Sequence, residues 1–188
     1  RGWMPGIPDK IIQDFSNHGD MILDQFVGGG TTLMEAVLLQ RHAIGCDIND
    51  AGTHLSRELV RLTLEAEGIY VRKRDARRLS GIGDESIDLI CTQPPYLDVV
   101  KFSTGIKGDM SLMSQDEYMA SMSRVAFESY RVLKKGRYCV IMIGDIMKNN
   151  CIVPLGVSTS NSFVNAGFKL KSVTINRKQA RCDDLFEA

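Results

Sequence analysis

Apolar, β-branched runs at about 20–26, 42–48, 69–74, 86–92, 137–144 and 168–175 alternate with helical periodicity at about 8–17, 30–40, 51–67, 115–134 and 155–166. Strands of this kind need cover on both faces, and a helix between successive strands returns the chain for parallel pairing. The alternation therefore predicts an α/β fold, a doubly wound, mostly parallel Rossmann-like sheet with helices on both faces. With 188 residues, 44% of them apolar, the chain suits a single domain over 1–188. Lys134-Lys135-Gly136 and Asn165-Ala166-Gly167 are read as glycine stops of the last two helices. The segment 97–114 is long and irregular, carries Gly105 and Gly108, and is expected to cover an active site.

Lys plus Arg and Asp plus Glu each number 23, so no global basic field announces a polyanionic partner. The densest basic stretches are Arg72-Lys73-Arg74 with Arg77-Arg78, Lys134-Lys135 with Arg137, and Arg177-Lys178 with Arg181. Each reads as a solvated edge or helix end unless the fold brings it to the site. The five cysteines lack a Cys-x-x-Cys spacing and three lie in core runs, which fits a reducing compartment and a cytoplasmic location. His18, His42 and His54 are scattered, so no metal is expected. No apolar run approaches the roughly 20 residues that span a bilayer. The start at Arg1-Gly2, without methionine, suggests a fragment or a processed chain.

In open parallel sheets, ligands sit beyond the carboxyl ends of the strands. Four such ends carry chemistry. Asp24 is followed by Gly28-Gly29-Gly30 and Thr31-Thr32, a turn where backbone approaches a ligand and a helix start offers N–H groups. Asp47, 19 residues after Gly28, ends the second run and suits the two hydroxyls of a ribose. A carboxylate at Asp24 repels a pyrophosphate and favours a cationic ligand group, and Leu33 stands where a dinucleotide fingerprint needs its third glycine. Asp75 and Ala76 end the third run. The fourth run ends in Gln93-Pro94-Pro95-Tyr96, where two prolines withhold N–H groups and leave carbonyls as acceptors beside an aromatic ring. A planar amine fits such a shelf.

Asp24-Gln25-Phe26-Val27-Gly28-Gly29-Gly30-Thr31-Thr32 resembles the D-P-F-x-G-x-G-T-T signature of S-adenosylmethionine-dependent DNA amino-methyltransferases. Gln93-Pro94-Pro95-Tyr96 resembles their [DNS]-P-P-[YFW] motif. The resemblance runs from about Ile7 to Lys178 and implies S-adenosylmethionine as cofactor, DNA as partner and methylation of an exocyclic amine, adenine N6 or cytosine N4. By the same resemblance, Pro8 lies over the methionine end, and Asp24, Phe26, Gly28, Gly30, Thr31 and Thr32 hold the methionine moiety. Asp47 and Ile48 then take the ribose, and Asp75 and Ala76 the adenine. Gln93, Pro94, Pro95 and Tyr96 are the catalytic set: Gln93 Oε1 and the Pro94 carbonyl accept the amine hydrogens while Tyr96 stacks on a flipped base.

Gln25 and Gln93 depart from the family pattern, the second being one methylene longer than asparagine. Relatives also carry a target-recognition region, which is not found here, so a homodimer or partner subunit is expected to supply it. The last antiparallel strand expected of such sheets is missing after Phe186. Related proline motifs occur in enzymes acting on the guanine amine of RNA or on a protein glutamine amide, and a degenerate, binding-only subunit is a further alternative. In the helix at 115–134, Tyr118, Met122, Val125, Ala126, Tyr130 and Leu133 read as core. Asp145 either shapes the base pocket or caps the following loop.

Overall fold

The structure, a computed structural model, describes residues 6–63 and 68–175. Helix α1 (Gly6–Phe15) leads into β1 (Met21–Asp24), α2 (Thr31–Leu38), β2 (His42–Asp47), α3 (Asp50–Thr63), β3 (Ile69–Lys73) and β4 (Ile87–Thr92). After a long loop come α4 (Gln115–Val132), β5 (Leu133–Ile141), a hairpin of β6 (Ile146–Lys148) and β7 (Cys151–Val153), and α5 (Leu155–Asn165). The main sheet has the order β3-β2-β1-β4-β5 with every pairing parallel. All six residues of β4 are buried, as a central strand covered on both faces requires. Neighbouring side chains on β1 serve opposite faces. Ile22 packs with Ile12, Leu33 and Ala36 beneath α1 and α2, whereas Leu23 packs with Leu79, Ile90 and Val132 on the other side. Helices α4 and α5 close that second side with Tyr118, Met122, Leu155 and Phe163.

Two expectations fail for identifiable reasons. Lys134-Lys135-Gly136 does not stop a helix: α4 ends at Val132 and the chain passes directly into β5. Leu133 lies opposite Ile87 but Tyr138 opposite Leu89, so the intervening residues bulge, with Gly136 at φ 76°. The bulge lets Lys134 and Arg137 reach Asp88, which is buried inside β4, at 2.8 and 3.1 Å. Burial pushes the Asp88 carboxyl up, but Lys134 and the Met21 N–H outweigh it and hold it below its ordinary value.

The run 168–175 forms no strand. Phe168 packs on Tyr130 and Phe163, but Leu170, Val173 and Ile175 are 58, 70 and 77% exposed. Alternation makes a strand only where a neighbour takes its hydrogen bonds and something covers its apolar face, and neither occurs among the described residues. The β6–β7 hairpin was not anticipated. Its signal was Asn149-Asn150, both at positive φ (51° and 57°), a conformation that asparagine tolerates and a tight hairpin demands.

Candidate functional site

The strand order reverses between β1 and β4, and the candidate site is built on their carboxyl ends. Asp24 ends β1 and is 1% exposed. Its Oδ1 accepts from the Thr92 hydroxyl (2.7 Å) and the Phe26 N–H (3.1 Å), and its Oδ2 from the Thr32 hydroxyl (2.6 Å). Thr92 in turn accepts the Gln25 N–H at 3.2 Å. One buried carboxylate thus joins the end of β1, the first turn of α2 and the last residue of β4.

Burial dominates those donors and pushes the Asp24 pKa up to about 6 from 3.8. A carboxyl whose folded pKa is raised favours folding fully below its unfolded pKa, and that contribution is lost as pH rises through the folded value. The stability of the wild type minus that of Asp24→Asn is therefore expected to fall between about pH 4 and pH 6 and to be flat above about pH 7, by on the order of 2 kcal/mol. Urea unfolding of both proteins across that range checks it; a difference independent of pH contradicts it.

The glycine turn lies beside this hub. Gly28 and Gly30 have φ of 45° and 86°, where glycine alone is unstrained. A Cβ at Gly30 would press to 3.2 Å from the Ser56 backbone, so α3 packs directly on the turn. Asp47, half-buried at the tip of β2, accepts the Gly28 N–H at 3.0 Å through Oδ2 and the Asn49 N–H at 2.9 Å through Oδ1. Burial holds its pKa above the ordinary value in spite of these donors. Gly52 is a member of the site that the sequence reading missed: a Cβ there would lie 2.9 Å from Asp47 Oδ2. Thr31 opens α2 and Thr32 is buried in it. Pro8 is buried in the first turn of α1, next to Asp9, whose charge reaches Glu35 on α2.

Asp75 is less open than the sequence suggested. Its two oxygens accept from the Arg77 side chain at 2.6 to 3.1 Å and Oδ1 also takes the Arg77 N–H at 2.9 Å. Burial raises the Asp75 pKa, but Arg77 reverses that and leaves it lowered. Ala76 is buried with Leu97 and Met110. The segment 97–114 crosses these strand tips. Phe102 carbonyl accepts from Asn49 Nδ2 at 2.8 Å, and a Cβ on Gly108 would collide with the Arg77 guanidinium and sit 3.1 Å from Ile48 Cδ1. The buried Asp109 organises the segment by accepting from Ser103 Oγ (2.6 Å) and from Ser111 N–H and Oγ (2.9 and 2.7 Å). Beside it opens a shallow depression of about 550 Å³ lined by Asn49, Ser103, Thr104, Gly105 and Ile106.

The proline turn starts one residue after Thr92. Pro94 is buried and Gln93, Pro95 and Tyr96 are half-buried. The Pro95 carbonyl is not free, because the hydroxyl of Tyr118 donates to it at 2.6 Å from the first turns of α4. Burial, with Tyr96 adding to it, pushes the Tyr118 hydroxyl pKa up, so it stays a donor. The Pro94 carbonyl has no partner among the described residues. Gln93 Nε2 donates to the Tyr96 hydroxyl at 2.8 Å, and the Tyr96 ring lies against Gly144, where a Cβ would come to 3.4 Å from Cε2. Leu97 follows at φ 51° and is fully buried, a left-handed residue held by core packing. Asp145 accepts the Gly156 N–H at 2.9 Å and so caps the start of α5.

Gln25, which stands where the resembling family has proline, is 1% exposed. Its Oε1 accepts from Ser129 Oγ at 3.1 Å, and its Nε2 is buried without a partner. The single hydroxyl proton of Ser129 has a shorter alternative acceptor in Val125 O at 2.7 Å, so Ser129 keeps a partner if Gln25 goes. Gln25→Leu is expected to stabilise the fold by about 1 kcal/mol, since an unpaired buried amide is removed; a lower thermal midpoint for the variant contradicts this.

Of the basic stretches, Lys134 and Arg137 serve Asp88, Lys73 pairs with Asp50 and Arg77 with Asp75; Arg177, Lys178 and Arg181 lie outside the described residues. Burial pushes Cys46 up to about 12 and raises Cys91 and Cys139, keeping them as thiols. No group of three metal-ligating side chains occurs among the described residues, and none of their helices is long and apolar enough to cross a membrane.

A DNA methylase family model (N6_N4_Mtase) matches residues 5–58, which include the glycine turn and Asp47 but not the proline turn. The chain is 36% identical over 99 residues to a tRNA (guanine(10)-N2)-dimethyltransferase of Methanocaldococcus jannaschii, covering 49% of this chain and 26% of that one. It is 49% identical over 41 residues to the type II methyltransferase M1.MboII of Moraxella bovis, covering 22% and 16% respectively. The chain thus spans about a quarter or less of the length of these two relatives. A crystal structure of a SAM-dependent methyltransferase from Aquifex aeolicus superposes with a TM-score of 0.63 at 14% identity, covering 91% of this chain and 92% of that one. The fold is that of Rossmann-like methyltransferases.

Proposed function

We propose that this chain, which belongs to the S-adenosylmethionine-dependent DNA amino-methyltransferase family, transfers a methyl group from that cofactor to the exocyclic amine of a base in DNA. The observation that carries the reading is that Asp24 ties the two strand ends together across the β1–β4 switch point, its carboxylate accepting from Thr92, the residue before Gln93, and from Thr32, at the end of the glycine turn. When bound, S-adenosylmethionine supplies an electrophilic methyl carbon. Asp47 retains acceptor capacity beside its two N–H donors for the ribose hydroxyls, and the Gly28–Gly30 turn leaves room for close backbone approach. These residues fit the cofactor. Asp24, which is almost wholly buried, acts on a cationic ligand by its field from beneath the turn. Asp75 is engaged by Arg77, so a hydrogen bond to adenine there requires Arg77 to yield.

At the acceptor end, Gln93 and Pro94 take the two amine hydrogens and turn the nitrogen lone pair out of the ring plane, while Tyr96 stacks on the ring. Gln93 is neutral, so proton loss follows transfer rather than preceding it. Catalysis is positioning and electrostatic preorganisation. A second reading, methylation of the guanine amine in tRNA, is supported by the 36% identity over 99 residues to the archaeal tRNA enzyme. The test is incubation with labelled cofactor and, separately, mixed-sequence duplex DNA and bulk tRNA, followed by nucleoside mass spectrometry. N6-methyladenine or N4-methylcytosine supports the first reading, N2-methylguanine the second, and cofactor binding with no product in either defeats both.

A further inference from the structure

Two consecutive prolines stiffen the turn from Gln93 to Tyr96, but not all of it. The rings of Pro94 and Pro95 fix φ at both residues, and a residue that precedes proline is confined to extended ψ, which covers Gln93 and Pro94. The first torsion left to rotate is ψ of Pro95. It sets the direction of the Pro95 carbonyl and, through the same planar peptide, where the Tyr96 ring is carried. The Tyr118 hydroxyl donates to that carbonyl at 2.6 Å. The sense of this bond is fixed, because a carbonyl oxygen can only accept. Tyr118 is itself immobile. It is fully buried, packs in one core with Leu97 and Met122, and stands in the first turns of α4 behind a capping box of Ser114 and Glu117. Beyond the ring the chain is held separately: the Tyr96 carbonyl accepts the Val99 N–H at 3.3 Å, and Leu97 is buried at φ 51°.

We propose that Tyr118 is a positioning residue: by holding the Pro95 carbonyl it closes the one loose torsion of the turn and fixes the plane in which the Tyr96 ring meets the target base. The inference rests on the stacking role proposed for Tyr96 and gives the buried tyrosine of α4 a function beyond packing. A ring held before the base arrives has no rotation to lose on binding, so the hydroxyl acts on the orientation of the acceptor and not on the cofactor.

Tyr118→Phe keeps the buried ring and removes the hydroxyl. With labelled S-adenosylmethionine and whichever of duplex DNA or tRNA is methylated, it is expected to lower kcat about tenfold with the cofactor KM changed by less than about twofold. Its thermal midpoint is expected to fall by about 2–4 °C. Val125→Ala, which removes packing from the same buried face of α4, is expected to lower the midpoint at least as much and to leave kcat unchanged below it. An unchanged kcat in Tyr118→Phe, or an equal loss in Val125→Ala, overturns the proposal, since packing alone then explains the hydroxyl. A readout independent of turnover separates this inference from the proposed function. In the chain labelled with ring-13C tyrosine, the Tyr96 signals, identified by their loss in Tyr96→Phe, are expected to report one environment in the wild type and several, or a broadened one, in Tyr118→Phe. A single sharp Tyr96 environment in both rejects the positioning role even where kcat falls, and its loss in Tyr118→Phe sustains the role even if no nucleic acid is methylated.

Discussion

Tyr96→Ala is expected to lower methyl transfer by about a hundredfold or more while leaving cofactor affinity within a few-fold. Three losses coincide in that one change. The stacking surface goes, which is worth about 1–3 kcal/mol for a base on an aromatic ring. The hydroxyl that receives Gln93 Nε2 goes with it, and so does the ring that fills the space against Gly144. None of these groups belongs to the glycine turn or Asp47, so calorimetric titration with S-adenosylhomocysteine should show little change. A variant that turns over at the wild-type rate removes Tyr96 from the mechanism, and one that no longer binds cofactor shows that the halves of the site were wrongly separated.

Asp47→Ala is expected to act at the other half, weakening cofactor binding roughly 30-fold or more, the scale of charge-assisted hydrogen bonds lost at a partly buried carboxylate. The side chain does two things at once. In the proposed reading it receives ribose hydroxyls, and in the structure it holds the Gly28 and Asn49 N–H groups that shape the turn and the start of α3. Asp47→Asn separates these, because its amide oxygen can still accept one backbone N–H while the charge and half the acceptors are gone. Equal losses in the two variants assign the effect to ligand contact; a loss confined to alanine assigns it to the turn. Calorimetry showing no loss in either removes Asp47 from the cofactor site.

The five parallel strands were legible because burial on both faces leaves continuous apolar runs, as in Ile87-Asp88-Leu89-Ile90-Cys91-Thr92, all buried. The glycine turn was legible because positive φ at Gly28 and Gly30 restricts the residue type. What escaped were polar tips on residues that otherwise look like core. Tyr118 sits at helical spacing with Met122, Val125 and Ala126 and is fully buried with them, yet its hydroxyl fixes the Pro95 carbonyl that the sequence left free. Thr92 reads as the last residue of an apolar strand and proves to be a partner of Asp24. The bulge at Gly136 was hidden because its cause, the buried Asp88, is 46 residues from Lys134. Local periodicity carries no record of such distances.

The hub at Asp24 makes the two halves of the site answer to each other. Thr32 binds it from the helix that follows the glycine turn, and Thr92 from the residue before Gln93. A ligand that shifts either threonine, or that holds the carboxyl ionised, alters the hydrogen bond available to the other. Free-energy reciprocity then fixes the outcome: whatever factor the cofactor contributes to binding of the acceptor amine, the acceptor returns to the cofactor. With the Asp24 carboxyl changing charge near pH 6, that mutual factor is itself a function of pH.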